Sequence, residues 1–399
     1  MPLPSGGGGN GTIYARNRQL AVGATYAVTP RSLLELRFGW STTEGGKNPP
    51  ALGTKSALDE YGLTGLPTDA RIAGGLPSQS ISGYSQFGRQ ATNPQWQFPE
   101  VWNPKINYTW LMGRQSFKAG YEFQRVNVEV QDVNPLYGLD TYSGQFSRPA
   151  GIASNNIYNL GDFMLGLRSQ YALSTLFVAH MRQNLHFGYL QDDIRVGSNL
   201  TLNVGLRYEY ATPMWERDNI LTNFDPTTNA MVSAKAGSIS DRALVDPDRN
   251  NWAPRLGLAY SVTPNTVLRG GWGVSYVHVN RIGSANLLAI NGPQVIRAVV
   301  AQGDPAQPSF RPTEQGYPEG LTDPSKFDAK SALISYIPKD FHSSSVQSWF
   351  ASVQHQLRPS MLLDIAYVGN RGDDLLLVAN YNQAAVNSAV SKWKKWLGF

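Results

Sequence analysis

Cysteine is absent from the 399 residues of this chain. A disulfide framework, a thiolate metal site and a cysteine nucleophile are therefore excluded. No stretch of 18 consecutive apolar residues occurs, so the sequence offers no candidate for a membrane-spanning helix. The net charge is only +5, and the basic residues are scattered along the chain, which argues against nucleic acid as a partner.

The usual motifs of enzymes and cofactor sites are also missing. The sequence has no Gly-x-Ser-x-Gly nucleophile motif. The glycine run at residues 6–9 lacks the Lys-Ser/Thr that a phosphate loop requires. None of the histidines forms the i, i+4 pair that a helical zinc site uses. We therefore predict a protein that is not an enzyme and that holds no cofactor or catalytic metal.

Residues 200–210 alternate strictly between apolar and polar side chains. The apolar members are Leu200, Leu202, Val204, Leu206, Tyr208 and Tyr210. Because side chains alternate between the two faces of a strand, this segment predicts a strand with one apolar face. About eleven residues suffice to cross a bilayer at a tilt. A soluble sheet would cover the apolar face with a core, whereas a membrane barrel turns it towards lipid.

The same pattern predicts five hairpins, with tight turns near residues 30, 114, 198, 264 and 359. Connections of roughly 40 to 70 residues join one hairpin to the next. All short connections then lie at one end of the strands and all long ones at the other. This asymmetry is typical of outer-membrane barrels and not of sandwiches or propellers. We therefore predict an all-β fold, an antiparallel up-and-down transmembrane β-barrel that is partial, with roughly 12–14 strands.

Several charged residues lie on the polar face of these otherwise apolar strands. They are Glu35, Arg37, Arg207, Glu209, Arg255 and Arg269. An arginine that faces lipid near the bilayer midplane costs about 2–4 kcal/mol. A charge that faces a wet lumen costs little and can pair across strands. We therefore predict that these six residues line the interior of the barrel.

Large aromatic residues recur near the predicted strand ends, on the apolar face. They are Trp40, Tyr108, Trp110, Tyr208, Tyr210, Trp272 and Tyr276. Trp and Tyr are enriched where a membrane meets water. We therefore predict that these seven residues lie at the lipid interface.

Less regular parts of the chain carry further predictions. The parity of the apolar residues shifts between Phe123 and Val126, which predicts a β-bulge. Residues 41–99, rich in Gly, Ser, Pro and Asn, are expected to form a long irregular loop. Short elements are predicted within the other long connections, namely a helix or turn at 156–167, a ribbon at 219–232 and a strand at 294–302.

The two ends of the chain differ in character from the rest. Residues 1–10 are rich in glycine and are predicted to be a flexible end. In the tail, 384–399, apolar residues recur at helical spacing with lysines between them. This pattern fits a basic amphipathic helix, and a frayed chain end is the alternative.

One segment resembles the start of a calcium loop. Asp246, Asp248 and Asn250 match its first three ligand positions, but Asn251 stands where the loop needs glycine and Gly257 where it needs glutamate. The alternative is that these side chains cap the junction between a loop and a strand.

Three segments together resemble the barrel hairpins of Oar-like TonB-dependent receptors. They are YLQDDIRVGSNLTLNVGLRYEYATP (189–213), DPDRNNWAPRLGLAYSVTPNTVLRGGWGVSY (246–276) and SWFASVQHQLRPSMLLDIAYVGNRGDDLL (348–376). The similarity extends over residues 11–383. It implies a place in the outer membrane of a Gram-negative bacterium and uptake of a bulky solute, such as a siderophore, a glycan or a peptide. It also implies a complete barrel of about 22 strands with a plugged lumen.

Members of that family also carry a signal peptide, a plug domain and a TonB box, and none of these is recognisable here. Residues 11–383 are therefore expected to be an internal piece of such a barrel. TonB is a predicted partner only in a full-length form with a plug, and outer-membrane lipid is the other predicted partner. Two alternatives remain open, namely a plug-free, porin-like or structural outer-membrane barrel and a secreted, soluble, β-rich binding protein.

Overall fold

The computed structural model describes residues 11–278, 287–330 and 332–377. Three α-helices in this part of the chain are α1 (Ala57–Tyr61), α2 (Asn156–Met164) and α3 (Ile239–Ala243), and short 3-10 helices lie at Leu287–Ile290, Thr313–Gln315 and Pro324–Lys326. The strands, in chain order, are β1 (Thr12–Thr29), β2 (Ser32–Asn48), β3 (Ser78–Ile81), β4 (Gln95–Met112), β5 (Gln115–Gln131), β6 (Leu139–Tyr142), β7 (Gln170–Ser174), β8 (Ala179–Val196), β9 (Leu200–Ala211), β10 (Trp215–Glu216), β11 (Thr222–Asp225), β12 (Ala230–Ser233), β13 (Trp252–Thr263), β14 (Thr266–Val277), β15 (Arg297–Ala301), β16 (Ser344–Arg358) and β17 (Met361–Asp373).

Long strands form one continuous antiparallel sheet. Its order is β1-β2-β4-β5-β8-β9-β13-β14-β16-β17, and the short strand β10 adds to β8, which makes eleven strands in all. The five predicted hairpins and their tight turns are all present. Within the described residues, β1 and β17 are the two edges of the sheet and do not pair with each other. The predicted all-β, up-and-down class is confirmed, with fewer strands in the sheet than the expected number.

Two of the tight turns are built in the same way. Thr29 and Thr263 each precede a proline, whose ring fixes φ for the first central position of a turn. The threonine hydroxyl accepts a hydrogen bond from a backbone N–H two residues further on, at 3.2 Å from Arg31 and 3.3 Å from Asn265. The register of each hairpin shifts beside its turn, as a β-bulge does.

The sheet has two faces of opposite character. We call the face that carries Leu206 and Tyr208 the apolar face, and the face that carries Arg207 and Glu209 the charged face. Cross-strand partners share a face, so the register extends both faces across the whole sheet. Large hydrophobic side chains on the apolar face are exposed, among them Val22, Leu36, Ile106, Leu190, Leu256 and Ile365.

The bulge predicted between Phe123 and Val126 is wrong. Strand β5 keeps a single register against β4, with Phe117 opposite Trp110 at one end and Val126 opposite Val101 at the other. Its register against β8 is also unbroken. The shift of parity has a different cause, because the two faces exchange their polarity towards the loop end of the strands.

Beyond Phe123 the charged face becomes apolar and the apolar face becomes polar. Val126 and Val130 lie on the charged face and are buried. Arg125, which pairs with Trp102, lies on the opposite face. Val126 packs against Leu185 and Phe187, and this cluster also contacts Val101, Val128 and Ala211. The valines therefore follow the strand alternation without interruption, and they are buried because other parts of the chain cover them.

That covering layer comes from the four long connections, residues 49–94, 132–178, 212–251 and 278–343, whose described parts we call the cap. A four-stranded sheet within it has the order β15-β7-β6-β3. Strands β3 and β6 are parallel, and the other pairs are antiparallel. The cap meets the main sheet in a core that joins Val130, Ala179 and Met181 to Leu221, Val245, Leu288 and Ala289.

The long connections are thus more ordered than their composition indicates. The irregular loop predicted for residues 41–99 is wrong at both ends, because β2 continues to Asn48 and β4 begins at Gln95. Between them lie α1 and β3. The short elements predicted at 156–167, 219–232 and 294–302 are confirmed as α2, the β11–β12 ribbon and β15. Helix α2 begins at a side-chain cap, since Asn155 accepts from the backbone N–H of Ile157 at 3.0 Å.

Among the helices that the structure describes, none is both long enough and apolar enough to span a membrane. The predicted flexible end at residues 1–10 and the predicted tail at 384–399 lie outside the described residues.

Candidate functional site

The six charged residues singled out from the sequence share one face of the sheet. Cross-strand register carries this face from β2 to β14 through the intervening strands. Its members are Glu35 and Arg37 on β2, Arg207 and Glu209 on β9, Arg255 on β13 and Arg269 on β14.

Ion pairs among these six run along a strand. Arg37 contacts Glu35 at 3.3 Å, and Arg207 Nε contacts Glu209 Oε1 at 2.8 Å. Within the described part of the chain, Arg255 and Arg269 have no such pair. The expected pairing across strands does occur on this face, but between residues that sequence reasoning did not single out.

Two cross-strand ion pairs complete the charged face. Lys105 on β4 contacts Glu122 on β5 at 2.9 Å, and Lys118 on β5 contacts Asp193 on β8 at 2.7 Å. Asn203 also donates to Asp193, at 2.6 Å. The alternation that predicted the other charges could have found these residues too, because they occupy the polar positions of their strands.

The loop end of the charged face holds a compact cluster around Glu209. Its side chain accepts from Arg207 and lies 2.9 Å from His278 Nε2. The Arg207 guanidinium stacks over the Phe187 ring at 4.7 Å, and Phe187 lies 5.7 Å from the His278 ring. Both the Glu209 and the His278 side chains are more than nine-tenths buried. A guanidinium, a carboxylate and an imidazole are therefore held together where the charged face meets the cap.

The predicted interface aromatics all lie on the apolar face. Two of them are not near strand ends, because Trp40 is in the middle of β2 and Trp272 in the middle of β14. Some of them have polar partners, as Trp40 Nε1 donates to Glu100 at 3.1 Å and the Tyr276 hydroxyl donates to the Trp252 carbonyl at 3.2 Å. The register assigns the full set, Trp40, Tyr108, Trp110, Tyr208, Tyr210, Trp272 and Tyr276, to one surface.

A fully buried ion pair lies at the centre of the cap. Arg168 NH1 contacts Asp140 Oδ1 at 2.7 Å, and neither side chain is exposed to solvent. Tyr317 donates to the same carboxylate at 3.1 Å, and Gln79 donates to its other oxygen at 3.1 Å. Arg168 also donates to the carbonyls of Arg311 and Gly316. This network joins three of the four long connections, and the sequence offered no local signal for it.

A second buried cation, Arg89, is held by carbonyl oxygens. It donates to the carbonyls of Ile72, Gly74 and Asn93, the last at 3.0 Å. Its guanidinium stacks on the Tyr137 ring at 4.1 Å. Burial lowers the pKa of Arg89 to about 10, so the group is still charged at neutral pH. The cap therefore closes around two arginines, each surrounded by oxygen acceptors.

We expect the cap to lose stability as the pH rises above 10. Burial, aided by the charge of Asp140, raises the pKa of Tyr142 above its ordinary value of 10.0. The pKa of Tyr317 is raised for the same reasons. The unfolded chain then releases these protons at lower pH than the folded chain. The stabilisation is complete below pH 10 and declines above it, by about 1.4 kcal/mol per pH unit for each tyrosine.

The pH slope can be measured from urea unfolding of the cap, followed by tyrosine absorbance, in a series of alkaline buffers. A Tyr142→Phe variant should lose stability less steeply, by about 1.4 kcal/mol per pH unit, since one of the two buried tyrosines no longer titrates. Arg89, whose pKa is lowered, contributes a slope of the opposite sign, and this contribution is the same in every variant. The matched Tyr84→Phe variant, changed at an exposed position, should keep the full slope. A slope that is the same in all three proteins would contradict the assignment to the buried tyrosines.

Metal-ligating residues come together at one place in the described residues, formed by His180, Glu216 and Asp218. The carboxylate oxygens of Glu216 and Asp218 already have protein partners. Glu216 accepts from the backbone N–H of His180 at 3.1 Å and of Asp218 at 2.5 Å. Asp218 contacts Arg217 at 2.9 Å. These contacts hold β10 beside β8 and account for the arrangement without an ion.

At the segment that resembles a calcium loop, the side chain of Asp248 contacts the backbone. Its carboxylate accepts from Ser343 N at 2.9 Å and from Asn250 N at 3.4 Å. The backbone N–H of Asp246 donates to the Lys339 carbonyl at 2.7 Å. These contacts tie the loop before β13 to the segment before β16, as the capping alternative requires.

Comparison with known families decides the class of this two-faced sheet. The sequence matches the outer membrane beta barrel domain family over residues 1–395. The chain belongs to this family. The outer-membrane location and the barrel class predicted from the sequence are confirmed, and as a member of this family the chain is not an enzyme. The resemblance to TonB-dependent receptors is confirmed at the level of the outer-membrane β-barrel.

No curated protein matches this outer-membrane barrel chain. Among solved structures, it is similar to the ferric-catecholate import receptor Fiu of E. coli K12, with 12% identity, 89% of this chain and 40% of that one covered, and a TM-score of 0.42. For the ferric yersiniabactin uptake receptor FyuA of Yersinia pestis, the values are 6%, 92%, 37% and 0.42. For the copper transporter OprC they are 8%, 89%, 38% and 0.42. The chain thus spans about two fifths of the length of these proteins.

Proposed function

We propose that this outer-membrane barrel chain is part of a receptor that takes up a bulky solute. In this proposal residues 11–383 act as one unit, with the apolar face in lipid and the charged face lining the lumen. The solute is a siderophore, a glycan or a peptide. TonB acts on the receptor only in a longer form that carries a plug.

The observation that carries the proposal is the separation of charge between the two faces. Turning the charged face to hydrocarbon would place Arg207, Arg255 and Arg269 in lipid, at about 2–4 kcal/mol each near the midplane. In a wet lumen the same residues keep their hydration or their ion pairs. The apolar face, by contrast, exposes leucines, valines and aromatics that favour a lipid environment.

The cap is a second reason to propose that the barrel takes up a solute and is not purely structural. Its core is joined to the loop end of the charged face through Val130, Ala179 and Met181. A folded layer at this end of a barrel lies where a solute arrives from outside, since the long loops of such barrels are extracellular. The cluster of Arg207, Glu209 and His278 contacts the cap, since the backbone N–H of Glu209 donates to the Asn251 carbonyl at 3.0 Å.

Fractionation of the native host is the first test of this proposal. An antibody raised against the exposed segment 303–309 should detect the protein in the outer membrane and release it only with detergent. Recovery in the aqueous phase without detergent would overturn the lipid-facing assignment and favour a secreted binding protein.

The second part of the test separates a receptor from a porin. Three labelled probes are offered to the protein purified from outer membranes, namely a ferric catecholate siderophore, a linear maltodextrin and an oligopeptide. The protein should bind one of them saturably. In planar bilayers the longer form that carries a plug should show no steady conductance, because its lumen is closed. Steady conductance without saturable binding of any probe would replace the receptor by the porin-like alternative.

A further inference from the structure

We propose that the apolar face holds a bound lipid with a phosphate-bearing headgroup, in a site formed by two grooves and an arginine cluster. This inference rests on the lipid-facing assignment of the proposed function. The occupant is a phosphorylated lipid of the outer leaflet with at least two acyl chains. Its headgroup contacts the arginines at the loop end, and its chains lie in the grooves below.

Two apolar grooves run side by side on this face, with volumes of about 400 and 500 Å³. Both are lined by Ile106 and Tyr121, so these side chains form the ridge between them. The first groove is bounded by Val22, Ala24, Leu36, Phe38, Pro104 and Phe123.

The second groove is open because of a glycine. Gly188 lies in register between Tyr121 and Tyr208, and a side chain at this position would meet open space. Glycine in the interior of a strand weakens it, and it often marks a place where a ligand approaches closely. An acyl chain between the two tyrosine rings would occupy the gap that Gly188 leaves.

Arginines gather around one buried tryptophan at the loop end of the same face. Trp215 is 5% exposed. The guanidinium carbon of Arg125 lies 5.2 Å from its ring and that of Arg242 5.6 Å. Arg182 is the register partner of Trp215 on β8. Three positive charges therefore meet at one point of the surface.

In the described part of the chain, none of these three arginines forms an ion pair with a carboxylate. Arg125 donates to the side-chain oxygens of Asn127 and Asn184, at 3.0 and 2.9 Å. The carboxylates nearby have other partners, as Glu100 accepts from Trp40 and Glu129 from Trp96, both at 3.1 Å. Asp218, whose charge interacts with that of Arg182, contacts Arg217 at 2.9 Å. Arg242 donates to the Asn219 side chain at 2.6 Å and to the carbonyls of Glu216 and Arg217. These partners are neutral, so the guanidinium groups keep their charge, and such groups suit phosphate because they can donate two parallel hydrogen bonds.

The spacing of these features matches one amphipathic molecule. Arg125 is the register partner of Trp102, and Trp102 lies 6.3 Å from Trp40 and 6.0 Å from Phe38. Phe123, at the rim of the first groove, is two residues from Arg125, about 7 Å along the strand. Along the strands, the cationic cluster is thus followed by the aromatic row and then by the apolar grooves. This is the order in which a lipid presents its headgroup, its interfacial region and its acyl chains.

The test uses the protein purified from outer membranes, stripped of lipid and titrated with lipid A, with native mass spectrometry as the readout. We expect one lipid A to be retained. Gly188→Leu, which fills the second groove, should weaken retention at least tenfold. Its matched control is Gly270→Leu, on the same face of β14 with ordinary contacts around it, and it should retain the lipid unchanged. The double variant Arg125→Gln/Arg182→Gln should also lose at least tenfold, whereas Arg114→Gln/Arg195→Gln at the turn end should lose nothing.

Two further arms identify what is bound. Dephosphorylated lipid A should bind at least tenfold more weakly, and inorganic phosphate alone should not displace lipid A. Equal retention of both forms, equal retention by all variants, or displacement by inorganic phosphate would overturn the lipid site. These results leave the proposed function standing if the protein still fractionates with the outer membrane. Recovery of the unchanged protein in the aqueous phase would overturn both proposals.

Discussion

Leu206→Arg is expected to prevent assembly into the outer membrane, while Arg207→Leu should still assemble. The two residues are neighbours on β9, and their side chains lie on opposite faces. Leu206 is 45% exposed on the apolar face, where a guanidinium would cost about 2–4 kcal/mol near the midplane of the bilayer. Arg207→Leu removes an ion pair with Glu209, which still contacts His278 at 2.9 Å.

A second pair of variants tests the same assignment without disturbing an ion pair. Leu256→Arg should fail to assemble, and Arg255→Leu, next to it on β13, should assemble normally. Within the described residues Arg255 has no carboxylate partner, so its loss leaves no buried charge behind. The measurement is the fraction of protein in purified outer membranes, together with the shift in gel mobility that folded barrels show on heating. Equal assembly of both members of either pair would mean that the two faces are assigned wrongly.

The buried ion pair of the cap should produce the second large effect. Asp140→Asn leaves Arg168 charged and buried without its carboxylate, and we expect the cap to be destabilised by about 3–5 kcal/mol. Arg168→Met should be similarly costly, because Asp140 then stays buried with only neutral donors. The double variant should recover part of the loss, since no uncompensated charge remains.

An exposed pair in the same cap supplies the control. Arg71 contacts Asp69 at 2.8 Å, nearly the distance of the buried pair, but its side chain is 59% exposed. Asp69→Asn should therefore cost less than about 1 kcal/mol. Hydrogen exchange of the cap amides in the purified protein measures both changes. Similar costs for Asp69→Asn and Asp140→Asn would show that burial does not set the strength of the Arg168–Asp140 pair.

The hairpins were predictable because their determinants are local. Strand alternation has a period of two, and neighbouring strands of a hairpin are joined by turns whose residues, such as Thr29-Pro30 and Thr263-Pro264, can be read directly. Once the register is known, the same parity assigns Arg207 and Arg255 to one face and Leu206 and Leu256 to the other. Even the missed pair Lys105–Glu122 obeys this rule.

Parity alone did not distinguish a bulge from an exchange of polarity between faces. If β5 continued to face lipid as Phe123 does, its next apolar residues would be at odd positions, but Val126 and Val130 are at even positions. An extra residue in the strand would explain this shift as well as an exchange of polarity does. The unbroken register shows that these valines stay on the charged face. They are apolar because the cap covers them, and the sequence of β5 contains no signal that predicts the cap.

The sequence by itself determined the five hairpins, where each of them turns and how charge divides between the two faces at their turn ends, because each follows from neighbours along one strand or across one turn. Only the tertiary structure decided the cap. Asp140 meets Arg168, 28 residues away, and Tyr317, 177 residues away. Contacts at such separations depend on how whole connections pack against one another, which no local pattern encodes. The arginines around Trp215 come from β5, β8 and α3, and the same packing brings them together.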